Sequence, residues 1–143
     1  MVNLLPIETE ETIQAVMPMP QDKESWDNLN ILFATSFGSI RRNKLNDFVN
    51  IKRNGKIAIK LSENDKLIGV TTCNDDSQIL LASKNGKAIR FSINQVRVFK
   101  GRDSSGVRGI KLLGNDQVVS MSVIADETNE FVLSICENGY GKR

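Results

Sequence analysis

The sequence contains no histidine. That absence removes the commonest general base, the Ser-His and Cys-His nucleophile pairs and most zinc sites. Its two cysteines, Cys73 and Cys136, lie far apart in strand-like or turn surroundings, which points to buried or idle thiols rather than a bridge or a metal ligand. No apolar run approaches the roughly 20 residues needed to span a bilayer. The stretch from Met1 to Pro6 has neither the basic start nor the small-residue cleavage site of a signal peptide, so the expected location is the cytoplasm. There is no phosphate loop of Walker type, no G-x-S-x-G and no clustered acidic metal motif. A stand-alone enzyme is therefore the weaker reading, and no catalytic, cofactor-binding or metal-ligating residue is assigned. What the chain does have is a globular balance, 40% apolar and 25% charged over 143 residues, enough for one domain with a real core.

The most informative positive feature is an internal repeat. Ile31-Leu32-Phe33-Ala34-Thr35-Ser36-Phe37-Gly38 matches Ile79-Leu80-Leu81-Ala82-Ser83-Lys84-Asn85-Gly86, and both match the run from Phe131 to Asn138-Gly139. A second block keeps step: Gly55, Ala58-Ile59-Lys60-Leu61 and Asn64-Asp65 recur as Gly106, Gly109-Ile110-Lys111-Leu112 and Asn115-Asp116, always 51 residues on. A period near 50 predicts propeller-like blades. Each unit reads as four antiparallel strands. The first two form a hairpin through Phe37-Gly38, Asn85-Gly86 or Asn138-Gly139, read as a two-residue turn with positive φ at both positions. The third strand is expected at Ile59–Leu61 and Ile110–Leu112, and the fourth at Lys66–Thr72 and Gln117–Val123. The predicted fold is thus all-β, a single domain with an end of one blade and a linker over 1–30, blades over 31–78 and 79–130, and the start of another over 131–143. Ile13–Val16 is expected to stand in for the fourth strand of the leading unit, after a degraded copy at Val2-Asn3-Leu4. The loop that follows carries Trp26, expected to be a packing anchor.

Charge is distributed unevenly. From Gly38 to Leu61 there are seven basic residues, Arg41, Arg42, Lys44, Lys52, Arg53, Lys56 and Lys60, against Asp47 alone. From Gly86 to Leu112 there are again seven, Lys87, Arg90, Arg97, Lys100, Arg102, Arg108 and Lys111, against Asp103. These occupy the same part of each repeat, so Arg42, Arg90 and Arg143 would form one ring-like series and Lys60 with Lys111 another. Acidic residues gather instead at Glu63–Asp65, Asp75-Asp76 and Asp126-Glu127. A basic rim of this kind suits a polyanion tracking around the molecule. All of these residues except Arg97, together with Arg143, are the candidate DNA contacts. The bland alternative is that outward lysines and arginines solubilise exposed sheet. With no recognition helix, zinc finger or row of exposed aromatics, the expected partner is duplex backbone rather than base edges or single strands.

Val2-Asn3-Leu4-Leu5-Pro6-Ile7-Glu8, Gly55-Lys56-Ile57-Ala58-Ile59-Lys60-Leu61, Gly86-Lys87-Ala88-Ile89-Arg90-Phe91, Gly106-Val107-Arg108-Gly109-Ile110-Lys111-Leu112 and Glu137-Asn138-Gly139-Tyr140-Gly141-Lys142-Arg143 resemble, in order and spacing, the C-terminal domain of DNA gyrase A subunits. The resemblance implies a β-pinwheel, a propeller-like disc whose blades exchange strands and whose perimeter wraps DNA. It further implies a place in a type IIA topoisomerase that introduces negative supercoils. The partners it implies are the gyrase B subunit, the remainder of the gyrase A polypeptide and double-stranded DNA, with ATP and Mg bound elsewhere and no cofactor here. The family's basic heptad, Gln-Arg-Arg-Gly-Gly-Lys-Gly, is absent. Lys52-Arg53-Asn54-Gly55-Lys56 and Lys100-Gly101-Arg102-Asp103-Ser104-Ser105-Gly106 are its weaker counterparts by position. The corresponding domain of topoisomerase IV, or a propeller scaffold for proteins, are the alternatives. Blades left incomplete at the ends are expected to favour self-association through open sheet edges.

Overall fold

The computed structural model describes residues 11–50, 52, 55–125 and 128–143. The ladder strands are β1 (Asn30–Thr35), β2 (Ser39–Lys44), β3 (Leu67–Cys73), β4 (Gln78–Ser83), β5 (Ala88–Ser92), β6 (Val107–Arg108), β7 (Val118–Ile124), β8 (Ser134–Ile135) and β9 (Gly141–Lys142). Short 3-10 turns, and no α-helix, accompany them among the described residues. The sheets run in the orders β3-β1-β2-β6, β5-β4-β7 and β8-β9, all antiparallel. The all-β class and the repeat are as expected: Leu32 faces Arg42 and Thr71 in the first sheet as Leu80 faces Arg90 and Ser122 in the second.

The units stack face to face. Leu32, Ala34, Ile40 and Cys73 of the first sheet meet Ile79, Leu81, Ile93, Val96, Ile110 and Val118 of the second unit. On the opposite side Ile31 and Phe33 join Trp26, Leu45 and Phe48. Every residue of β1 is therefore buried, whereas β4 alternates, with Ile79, Leu81 and Ser83 buried between half-buried neighbours. Each fully buried aliphatic chain contributes about 1.5–3 kcal/mol against under about 1 for an exposed ion pair, so stacking of units and not surface charge decides this architecture. Trp26 is the anchor the sequence suggests, buried in the second cluster with its indole N–H donating to Pro20 O at 3.0 Å.

Three expectations need correction. The segments Ile59–Leu61 and Ile110–Leu112 are not strands of their own units. Instead β6 leaves the second unit and completes the first sheet, Val107 facing Ile40 and Arg108 facing Ser39. The chain then turns so that Ile110 enters the core between units, 3% exposed. Period-two alternation marks an extended run with a buried side, but it does not say which sheet the run joins. The hairpin turns also differ from the two-residue form. Gly86 N–H donates to Ser83 O at 3.0 Å and Ser83 N–H to Lys87 O at 2.7 Å, with positive φ at Gly86 alone. This is a three-residue loop with one left-handed residue, repeated at Gly139. Finally, Ile13–Val16 is exposed and forms no strand; Val2–Leu4 lies outside the described residues.

Gly106 and Gly109 permit the exchange. Gly106 has φ +99°, and a Cβ there would stand 2.3 Å from Ile40 O. A Cβ at Gly109 would lie 2.9 Å from Leu81 Cδ1. Gly86, with φ +83°, faces open space. Gly106→Ala should thus cost more than the about 1–3 kcal/mol of a left-handed backbone alone, and Gly86→Ala no more than that, read as the difference between their urea midpoints. Equal losses would remove the steric role given to Gly106. The cysteines behave oppositely as well. Burial pushes the Cys73 thiol up to about 11 while Cys136 is exposed, so a thiol reagent at about pH 8 should label Cys136 and spare Cys73 until the protein unfolds.

Candidate nucleic-acid interface

The second unit reaches the first along the free edge of β2. Phe99 N–H donates to Arg42 O at 2.8 Å, the chain makes a turn over residues 100–105, and it returns as β6. Gly109 N–H closes the path by donating to Gly38 O at 2.8 Å. The turn over 100–105 therefore sits where two units join, and it carries Lys100 and Arg102. Lys60 of the first unit is brought alongside, its backbone N–H reaching Ser104 O at 3.4 Å. On the second unit the Lys87 ammonium donates to Lys111 O, which brings two more candidate cations together.

The predicted basic residues divide into three groups. Lys52, Lys60, Lys87, Arg90, Lys100, Arg108, Lys111 and Arg143 are exposed, and Lys44, Lys56 and Arg102 are half-buried. Arg53 lies outside the described residues. Arg41 and Arg42 are the corrections: they are 0% and 5% exposed and cannot reach a ligand on the rim as they stand. Arg42 points between the units, where it donates to Ile93 O at 3.0 Å and Val96 O at 3.3 Å and pairs with Asp75. Asp75 also approaches Lys44 at 3.9 Å, and Asn30 donates to the same carboxylate at 2.8 Å. The Asn30 hydrogen bond, against desolvation and with help from Lys44 and Arg42, holds the Asp75 carboxyl below its ordinary range. The series Arg42, Arg90, Arg143 is consequently not one rim series, because its first member is roofed by the following unit. Lys60 and Lys111, the members of the other expected series, are both exposed.

Arg41 is spent differently. Its Nε donates to Asn43 Oδ1 at 2.8 Å, Nη1 to Ser104 O and to Ser104 Oγ at 2.9 Å, and Nη2 to Gly101 O. Its guanidinium carbon lies 4.9 Å from the centroid of the Phe99 ring, which Arg97 approaches at 4.2 Å. Asn43, 0% exposed, donates to Phe99 O at 2.7 Å and Gly101 O at 3.1 Å. Burial pulls the Arg41 guanidinium below its ordinary value, Asp103 opposing that shift and Arg102 adding to it. Asn43, Asp75 and Ser104 carry parts of this junction that a search for cations overlooks. A signal for Arg41 and Asn43 does exist: their counterparts one repeat on are Ile89 and Phe91, so a polar pair stands where the repeat has an apolar pair.

The hairpin ends are secured by a repeated aspartate. Asp65 Oδ1 accepts from Ser36 Oγ at 2.8 Å, Phe37 N–H at 2.9 Å and Lys66 N–H at 2.9 Å. Asp116 Oδ1 accepts from Asn85 N–H at 3.0 Å and Gln117 N–H at 2.9 Å. These acidic residues are internal clamps, not an acidic surface. The Ser83 hydroxyl, opposed by desolvation and aided by the Asn85 and Gln117 N–H groups and Lys87, lowers the Asp116 carboxyl from its ordinary value. The stability this gives is complete above the unfolded value of about 3.9 and disappears as pH falls through the lower folded value. Asp116→Asn should flatten the acid limb of the stability-against-pH curve between about pH 5 and 2, relative to the parent. An unchanged acid limb would remove the clamp as its cause.

The chain is similar to known proteins over most of its length. The family profile described as DNA gyrase C-terminal domain, beta-propeller, matches residues 29–74 and 77–125. The DNA gyrase A polypeptide of Rickettsia bellii is 54% identical over 124 residues, which is 87% of this chain and 14% of that protein. The chain thus spans about one-seventh of that relative's length. Among solved structures, a DNA gyrase A C-terminal domain is 32% identical with a TM-score of 0.69, covering 80% of this chain and 37% of that one. A topoisomerase IV C-terminal domain superposes with a TM-score of 0.77 at 26% identity, covering 88% of this chain and 38% of that one.

Proposed function

Because this chain belongs to the family of DNA gyrase C-terminal domains, we propose that it binds duplex DNA without sequence preference and bends it around the outer, strand-exchanged side of its sheets. One observation carries this reading. The arginines that fold the molecule are turned inward, while Lys100, Arg102, Lys60, Arg108 and Lys111 sit on or beside the segments that pass from one unit to the next. Phosphates are the ligand such cations fit, and release of condensed counterions supplies the driving force. Bending a site of 20–30 base pairs by 40–90° costs about 1–6 kcal/mol, within reach of several phosphate contacts repeated along the path.

Within the longer protein, this segment supports a type IIA topoisomerase. Wrapping would present a second duplex segment with one handedness, so that ATP-driven strand passage by the assembly with the B subunit introduces negative supercoils. ATP and Mg belong to other parts of that assembly. The chain's own contribution is binding and bending; it performs no covalent step. A gyrase assignment is favoured over topoisomerase IV by the 54% identity to a gyrase A polypeptide.

Affinity for plain duplexes of unrelated sequence should be alike and should fall steeply with salt, with a log–log slope of about −0.9 per phosphate neutralised. Lys60→Glu combined with Lys111→Glu should weaken binding roughly tenfold at constant salt. A shallow slope, a strong sequence preference or an indifferent double variant would each overturn the proposal.

A further inference from the structure

We propose that Arg41, together with Asn43, is a positioning residue for DNA binding: the first unit holds the second unit's turn over 100–105 in the shape that presents Lys100 and Arg102 to phosphate. This rests on the DNA-binding reading above and deepens it. The turn contains Gly101 and two serines and has no ladder partner of its own. Its carbonyls are held from outside, Gly101 O by both Arg41 Nη2 and the Asn43 amide, and Ser104 O by Arg41 Nη1 and Lys60 N–H. Nη1 also donates to Ser104 Oγ at 2.9 Å. The planar guanidinium spans the turn because its donors point in fixed directions, which one ammonium cannot reproduce.

Two features argue that this is more than general packing. Arg41 is fully buried yet directs its donors at carbonyls, a hydroxyl and an amide oxygen, with the Phe99 ring below it, rather than at a carboxylate. The arrangement is also not repeated. The counterpart of Arg41 on β5 is Ile89 and that of Asn43 is Phe91, so the second unit has no equivalent grip to offer. Among the described residues the arrangement occurs once, at the junction of the first and second units.

The test is a double-mutant cycle on duplex binding and its salt dependence, made in the full-length protein that carries this chain. Lys100→Ala/Arg102→Ala should lower the steepness of the log–log salt slope by about 2, as two phosphate contacts are lost. Arg41→Lys keeps the charge but not the fork, and should lower the slope by a similar amount. Adding it to Lys100→Ala/Arg102→Ala should bring no further loss. Ser104→Ala, on the loop side and free of core disruption, should reproduce part of the effect. Losses that multiply, or Arg41→Lys and Ser104→Ala variants with the parent's slope, overturn the positioning role and leave the DNA-binding reading intact. If Lys100→Ala/Arg102→Ala binds as the parent does, both this inference and the assignment of the turn to the DNA path fail.

Discussion

The structure depends on one contact, the docking of residues 96–109 along the edge of β2. A four-stranded sheet of this kind has two faces to cover and an outer edge with unpaired N–H and C=O groups. The second unit supplies the outer edge by lending β6, and it supplies one face through Ile79, Leu81 and Ile110. Gly106 and Gly109 let the backbones approach, and Arg42 satisfies the carbonyls of Ile93 and Val96 that the approach buries. Remove that contact and the first sheet loses its edge strand, the packing of Ile110 and the carbonyls of Gly101 and Ser104 that Arg41 holds.

The arginines and lysines follow from this in two populations. Arg41 and Arg42 on β2 point into the junction, where hydrogen bonds from a cation to buried carbonyls are worth about 1.5–3 kcal/mol each and an unmade one is costly. On the connecting turns Lys100 and Lys60 stay exposed and Arg102 is half-buried. Net charge alone, +2 over the chain, conceals this division. Sequence position within the repeat conceals it too, since Arg42 and Arg90 are equivalent in register and differ in burial.

Much of the fold is legible in the amino-acid pattern. The period near 50, the glycine-centred hairpins and the fourth strand within one residue of its observed place all follow from recurring residues. What stays hidden is partnership. An extended Gly-Val-Arg-Gly run looks the same whether it pairs within its unit or with the one before, so the pattern neither sends β6 to the preceding sheet nor shows that Ile110–Leu112 forms no strand. The site is legible in part for the same reason. Lysine clusters on connecting segments announce exposed charge, whereas Arg41 and Arg42 have the same letters and opposite surroundings. The hairpin form escapes the pattern because an Asn-Gly pair fits both a two-residue and a three-residue turn, and only the φ of Asn85 separates them.

The loan of β6 has a consequence for how such a molecule can grow by duplication. The stretch that repeats in the sequence and the body that packs in space are offset from one another by one strand. Copying a single repeat would therefore hand the new copy an obligation to its neighbours on both sides: it must finish the sheet before it and have its own finished by the sheet after. Length can change only by threading a new link into the whole garland, which ties the course of the outer edge to every link at once.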